Sequence, residues 1–204
     1  MTRKHNLTSA ARKEQTVQAV IELCGQEEPA TLTTNDIAKK MGVTQGALFR
    51  HFSSKNSIWE AVVKWVAKRL MQRLDAAVAQ ASSPSAALGA MFMAHMDFIV
   101  EHPGVPRLLL GQLQKAKPTP AQRMVNTLLF LYRQRVEQLL MEGVEAGQLR
   151  AELNIEAAAT QYIGMVQGLV MQSLLKRDVP VIIDQAPAVF ELYCRGISKT
   201  ENES

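Results

Sequence analysis

Few side chains in this chain carry reactive chemistry. Its four histidines are His5, His51, His95 and His102, and none stands in an HExxH or other metal-ligand spacing. Neither a GxSxG nucleophile turn nor a glycine-rich phosphate loop is present, so turnover is not expected, and no cofactor or metal is expected either. Cys24 and Cys194 lie far apart, each in an apolar helical pattern. They read as buried thiols acting as small hydrophobes, with a redox sensor as the alternative. The remaining chemistry is recognition, and it is concentrated in VTQGALFRHF, residues 43–52. Leu48 and Phe52 are four apart on one helical face, with Val43 behind them, and should pack inward. Gln45, Gly46, Ala47, Phe49, Arg50 and His51 are left outside. A glycine inside a helix costs about 1 kcal/mol relative to alanine. Gly46 therefore serves either a close approach of backbone to a ligand or a tight helix–helix contact. Arg50 can pair bidentately with guanine or meet a phosphate.

Such residues need rigid support, and the flanking sequence supplies it. Thr33 is placed as an N-cap, with Asp36 three residues on as in a capping box, and Leu32 with Ile37 as a hydrophobic staple. Gly42 suits a left-handed helix stop. Thr44 caps a second short helix at once, and Val43 with Leu48 repeats the staple spacing. Two short helices meeting at Met41-Gly42-Val43 form a helix-turn-helix signature, in which the N-terminal part of the second helix faces base edges. The free N–H groups at that terminus suit phosphate. Lys39 and Lys40 read as solvated surface charges, and His51 is alternatively a cap for its own helix.

The segment TTNDIAKKMGVTQGALFRHFSSKNSIWEAV resembles the DNA-binding domain of the TetR (tetracycline repressor) family of bacterial transcription regulators. The family pattern T-T-x-x-I-A-x-x-x-G-V-(S/T)-x-G-x-L-(Y/F)-x-H-F-x-x-K is met by Thr33, Thr34, Ile37, Ala38, Gly42, Val43, Thr44, Gly46, Leu48, Phe49, His51, Phe52 and Lys55. The resemblance implies that Thr33 and Thr34 contact phosphate and that Thr44, Gln45, Gly46 and Ala47 enter the major groove. It also implies phosphate contacts from His51 and Lys55. Position 49 is usually tyrosine in that pattern; Phe49 lacks the hydroxyl that would meet phosphate. Arg3 and Lys4 form a leading basic arm suited to the DNA backbone or minor groove.

The rest of the chain is read as helices. The first carries Val17, Val20, Ile21 and Cys24 on one face and ends at QEEPA. SSKNS, residues 53–57, precedes a long helix, and further helices fall at about 85–101, 105–115, 120–147, 155–177 and 185–198. Only VPVII, residues 179–183, resembles a strand, and it is too short and isolated to build a sheet. The expected fold class is all-α, about nine helices. Residues 1–54 would form a three-helix DNA-binding domain, 55–80 a connecting helix, and 81–204 a helical ligand-binding and dimerisation domain.

Charge supports this division. Residues 1–73 hold 12 Lys/Arg against 6 Asp/Glu, whereas residues 74–204 hold 11 against 13. The basic end suits an anionic partner, either nucleic acid or a membrane surface. No apolar run reaches the roughly 18 residues that span a bilayer, and the start lacks the apolar stretch of a secretory signal, so a cytoplasmic, nucleoid-associated location and no membrane partner are expected.

One helix-turn-helix makes few contacts, and two-fold symmetry doubles them on a palindromic operator of double-stranded DNA. Residues 155–175 are apolar nearly all round, so that helix is either the central core helix or part of a homodimer surface. Gly164 and Gly168 would let another helix approach, and Phe190 and Tyr193 are placed on the second interface helix. The resemblance agrees, because dimers of that family pair their last two long helices.

Met91, Met93, Met96, Phe98, Leu109, Leu113 and Phe130 supply adaptable apolar lining for a small lipophilic effector, with His95, Gln112, Tyr132 and Gln161 as conceivable polar anchors. For each of these four, an ordinary core or surface role is the competing reading. In the family the segment HPGVPRLLL, residues 102–110, couples pocket to DNA-binding domain. The expected function is therefore a sequence-specific DNA-binding regulator, a repressor released by such an effector. The alternative is the same fold with no small ligand, controlled by a protein partner.

Overall fold

The computed structural model describes residues 8–176 and 180–199. Among them are nine helices: α1 (Ser9–Gln26), α2 (Thr34–Lys40), α3 (Gln45–Phe49), α4 (Lys55–Ala79), α5 (Pro84–Glu101), α6 (Gly104–Leu113), α7 (Pro120–Glu145), α8 (Ile155–Lys176) and α9 (Val181–Ile197). The described residues contain no strand, only an isolated antiparallel bridge between Leu149 and Ser198. The all-α class follows. Arg3 and Lys4, the proposed basic arm, lie outside the described residues.

The start of α9 differs from expectation. It begins at Val181 rather than near 185, so Val181, Ile182 and Ile183 are helical, with Pro187 inside the helix. Pro180 stands just before the first turn, whose N–H groups have no intrahelical partner in any case, so a proline is tolerated there.

The chain packs as two compact units, which divide it differently from the expected boundaries at 54 and 80. One comprises Met1–Ala67 with His102–Asn126, the other Lys68–Glu101 with Thr127–Ser204. In the first, α1 buries Val17, Val20, Ile21 and Cys24, the i, i+3, i+4, i+7 face that its periodicity predicts. Burial pushes the Cys24 thiol up to about 12, which keeps it protonated and inert at neutral pH. Against this helix packs α6, backbone to backbone. A Cβ built on Gly104 would lie 1.9 Å from the Ile21 carbonyl oxygen and 2.8 Å from the Gly25 nitrogen. Only glycine fits that crossing. Trp65 adds a cross-tie by donating its indole N–H to Glu14 at 2.7 Å.

The second unit is built around aromatic rings. Phe92 meets Tyr162 edge-on at 5.7 Å and stacks on Phe190 at 5.2 Å; Tyr162 meets Tyr193 at 5.7 Å. Both phenols are buried and donate to backbone carbonyls, Tyr162 to Leu88 at 2.9 Å and Tyr193 to Ala158 at 3.1 Å. The rings thus bury large apolar areas without orphaning their hydroxyls. Arg73 joins Glu101 (Nη2 to Oε1, 2.9 Å), and Arg135 joins Asp75 at 2.6 Å, tying α4 to α5 and α7 within this unit.

Candidate nucleic-acid interface

The helix-turn-helix forms through local chemistry. Thr33 and Asp36 make a full capping box: the Asp36 carboxylate accepts from the Thr33 N–H at 2.8 Å and hydroxyl at 2.6 Å, and the Asp36 N–H donates back to Thr33 Oγ1 at 3.2 Å. The side-chain bond from Thr33, then its backbone bond, holds the Asp36 pKa below the usual carboxylate value. At the other end Gly42 adopts φ of 65°. Its N–H reaches the Lys39 carbonyl at 3.1 Å and that of Val43 reaches Ala38 at 3.0 Å, which is a Schellman stop. Thr44 then caps α3 by accepting from the Ala47 N–H at 3.2 Å. Leu48 and Phe52 are buried and hold the short helix to its unit.

This arrangement presents the predicted face. Thr44, Gln45, Gly46, Phe49 and Arg50 are exposed, and Ala47 and His51 partly so. A Cβ at Gly46 would meet no atom closer than Thr44 Oγ1 at 4.0 Å. The tight helix–helix explanation for this glycine therefore fails among the described residues, and close approach by another molecule is the reading left. Phe49, 41% exposed, presents a bare ring. Lys55 opens α4 and is half-buried. Lys40 is held by Glu22 at 2.9 Å, so it is less free than a solvated surface charge.

Two side chains have partners elsewhere in the first unit. Thr34 is only 9% exposed, and its hydroxyl accepts from Gln45 Nε2 at 2.6 Å. Thr34 thus orients Gln45 by accepting from its amide. His51 places Nδ1 3.1 Å from Ser9 Oγ, so α1 fixes its ring, whereas a cap on its own helix would use neighbouring carbonyls. Neither pairing is readable from local patterns, because the partners are 11 and 42 residues apart.

The residues expected around an effector are dispersed. Leu109 and Leu113 belong to α6 in the first unit. In the second, Met91 and Phe98 are buried in α5. His95 keeps a little exposed surface, with Nδ1 3.1 Å from the Tyr132 hydroxyl. Burial lowers its pKa to about 4, leaving it neutral at pH 7, and burial raises that of Tyr132. Phe130 does not join them: it is 59% exposed on the outside of α7, because the helical repeat turns Tyr132 inward in its place. Gln161 lines a separate recess of about 260 Å³ with Arg150, Asn154 and Ile197.

The expected dimer residues also separate. A Cβ at Gly164 or Gly168 would meet nothing within 4 Å. That open stripe continues through Met171, 48% exposed, and Leu175, 76% exposed, with Leu192 of α9 at 69%. Tyr193, 1% exposed, faces the core of its own unit, and Phe190 packs over Gly89 and Phe92. A partner helix cannot reach Tyr193; the outward apolar residue beside it, Leu192, was missed.

Among the described residues no group of His, Cys, Asp and Glu could hold a metal ion, and no helix is long and apolar enough to cross a membrane.

Comparison with known proteins converges on one family. The profile "Bacterial regulatory proteins, tetR family" matches residues 17–62, and "Tetracyclin repressor-like, C-terminal domain" matches residues 114–186. The nucleoid occlusion factor SlmA of Vibrio cholerae is 28% identical over 160 residues, covering 77% of this chain and 81% of that protein. The fatty acid degradation regulator FadR from Bacillus halodurans has a TM-score of 0.80 at 19% identity, covering 95% of this chain and 98% of its own. FadR from Bacillus subtilis, solved in complex with stearoyl-CoA, has a TM-score of 0.76 at 18% identity, covering 90% and 98%. These structures establish a shared fold, and the profiles fall on both the helix-turn-helix and the C-terminal helices. The chain belongs to the TetR family and is a DNA-binding transcriptional regulator.

Proposed function

We propose that this regulator is a homodimeric repressor of a palindromic operator, released when a small lipophilic effector binds the C-terminal helices. The observation that carries the DNA assignment is the open, capped α3 face around Gly46, where no atom of the described residues claims the space above the backbone. On this reading Thr44, Gln45, Gly46 and Ala47 face base edges, and Phe49 and Arg50 flank them. Thr33, His51 and Lys55 meet phosphates, and Thr34 acts by aiming Gln45. The dimer would form through the outer stripe of α8 and α9, with Gly164, Gly168, Met171, Leu175 and Leu192 in place of Phe190 and Tyr193. Apolar side chains on α5, Met91 and Phe98 among them, favour a lipophilic effector, and the stearoyl-CoA bound to the Bacillus subtilis relative in fold points the same way. Turnover has no part in this mechanism, and its setting is the bacterial nucleoid.

Release is a population shift, which an effector achieves only through differential affinity for the two dimer geometries. A second reading, control by a protein partner, is favoured by the exposed run Leu129, Phe130 and Leu131 on α7. Selection of bound sequences from a random duplex library tests the main reading. One enriched palindrome supports it; no enrichment by an intact dimer overturns it.

A further inference from the structure

One recess in the first unit lies beside the recognition helix. It has a volume of about 300 Å³, between α1 and the helix-turn-helix, and its lining includes Arg12, Arg50 and His51 together with the apolar Met41, Val43 and Leu48. No carboxylate of the described residues lines it. The Arg12 guanidinium, half-buried, donates to Gln15 Oε1 at 3.1 Å, a neutral partner, and no salt bridge holds Arg12 or Arg50 among the described residues. His51 is positioned by Ser9. Two guanidinium groups and an imidazole gathered without an acid form a site of positive potential that an anion would neutralise.

Its apolar share says which anion. A bare inorganic ion gains nothing from Met41, Val43 and Leu48, whereas a sugar–phosphate unit offers a C–H surface beside its charge. The volume sits at the lower edge of small-molecule sites, which suits a single such unit. Ala47 and Arg50 belong both to this recess and to the proposed DNA face. We infer that the recess between α1 and α3 seats one sugar–phosphate of the operator backbone in each half-site, with Arg12 of α1 as a phosphate ligand outside the helix-turn-helix motif. This rests on the DNA-binding reading above. Arg12 contributes affinity without sequence preference, because phosphate contacts position and base contacts specify.

The test compares wild type, Arg12→Gln and Arg12→Lys, each checked by circular dichroism for unchanged helicity, on a selected operator and on a random duplex. Each neutralised phosphate contributes about 0.9 to the slope of log K against log salt. One contact per half-site therefore makes the Arg12→Gln slope shallower by about 1.8. Its deficit relative to wild type should be about 12-fold larger at roughly 50 mM than at roughly 200 mM salt, on both duplexes alike. Arg12→Lys should restore the slope. Ethylation interference should show one phosphate per half-site whose blocking weakens wild type and not Arg12→Gln. An unchanged slope and interference pattern in Arg12→Gln, beside normal wild-type binding, overturns the inference alone. Flattening that lysine does not restore also overturns it, since it assigns the loss to helix packing. Wild type that binds no duplex at low salt removes the DNA-binding reading itself.

Discussion

Acid should loosen the second unit through one ring. His95 titrates at about 4 in the fold against an ordinary value of 6.5, because burial disfavours its charged form. The unfolded chain therefore takes up a proton that the folded chain refuses. The stabilising effect is fully present above pH 6.5, falls as pH drops toward 4, and levels off below that. Each pH unit inside the window costs about 1.4 kcal/mol. Moving from pH 7 to pH 5 crosses about 1.5 units of it, so the loss is about 2 kcal/mol. With a denaturant slope of about 2 kcal/mol per molar, the urea midpoint should fall by roughly 1 M. His95→Gln keeps a hydrogen-bonding group near Tyr132 and cannot titrate in this range. The assay is urea denaturation followed by near-ultraviolet tyrosine dichroism. All three tyrosines, Tyr132, Tyr162 and Tyr193, lie in the second unit, while both tryptophans, Trp59 and Trp65, lie in the first. Differences between wild type and variant at the two pH values cancel every other titration. Equal pH dependence in the two proteins would refute the claim that the His95 ring is buried and neutral.

Three further outcomes are expected. Gly46→Glu should leave helicity and dimer intact, since a side chain there meets only Thr44 Oγ1 at 4.0 Å. Its carboxylate would oppose DNA phosphates at a cost of several kcal/mol, so operator affinity measured by anisotropy should drop by about 100-fold or more. Gly42→Ala forces a Cβ into φ of 65° and should destabilise the first unit by about 1 kcal/mol, read as an earlier loss of tryptophan fluorescence change in urea. Leu175→Glu combined with Leu192→Glu places charges on residues 76% and 69% exposed; sedimentation should show monomers with unchanged helix content, and an intact dimer would move the interface elsewhere.

What could be read from sequence was what neighbours in the chain decide. The capping box at Thr33, the Schellman stop at Gly42 and the cap at Thr44 each close within three to five residues, so residue types alone reveal them. The buried faces of α1 and α3 followed from periodicity for the same reason. Failures came where a second element decides the outcome. Tyr193 and Leu192 are equally apolar on paper, and only the packing of α9 on α5 and α8 selects which points out. Nothing local announces that the amide of Gln45 donates to Thr34. Arg12 sat in an ordinary amphipathic helix, and its only sequence signal was the lack of an acid to pair with. The start of α9 was missed because a proline beside valines reads as a separator, while the same residue fits the threshold of a helix.

The crossing of α1 and α6 also bears on how this chain can change over generations. At Gly104 a Cβ would stand 1.9 Å from a backbone oxygen that has no rotamer to escape into. Every single-base change in a glycine codon that encodes a different amino acid gives one with a Cβ. Codon 104 therefore has no neighbouring sense codon compatible with this crossing, apart from its own synonyms. A library of random point variants selected for repression should return that position unchanged, while Gly164 and Gly168, open in the single chain, should accept alanine whenever a partner helix leaves them room.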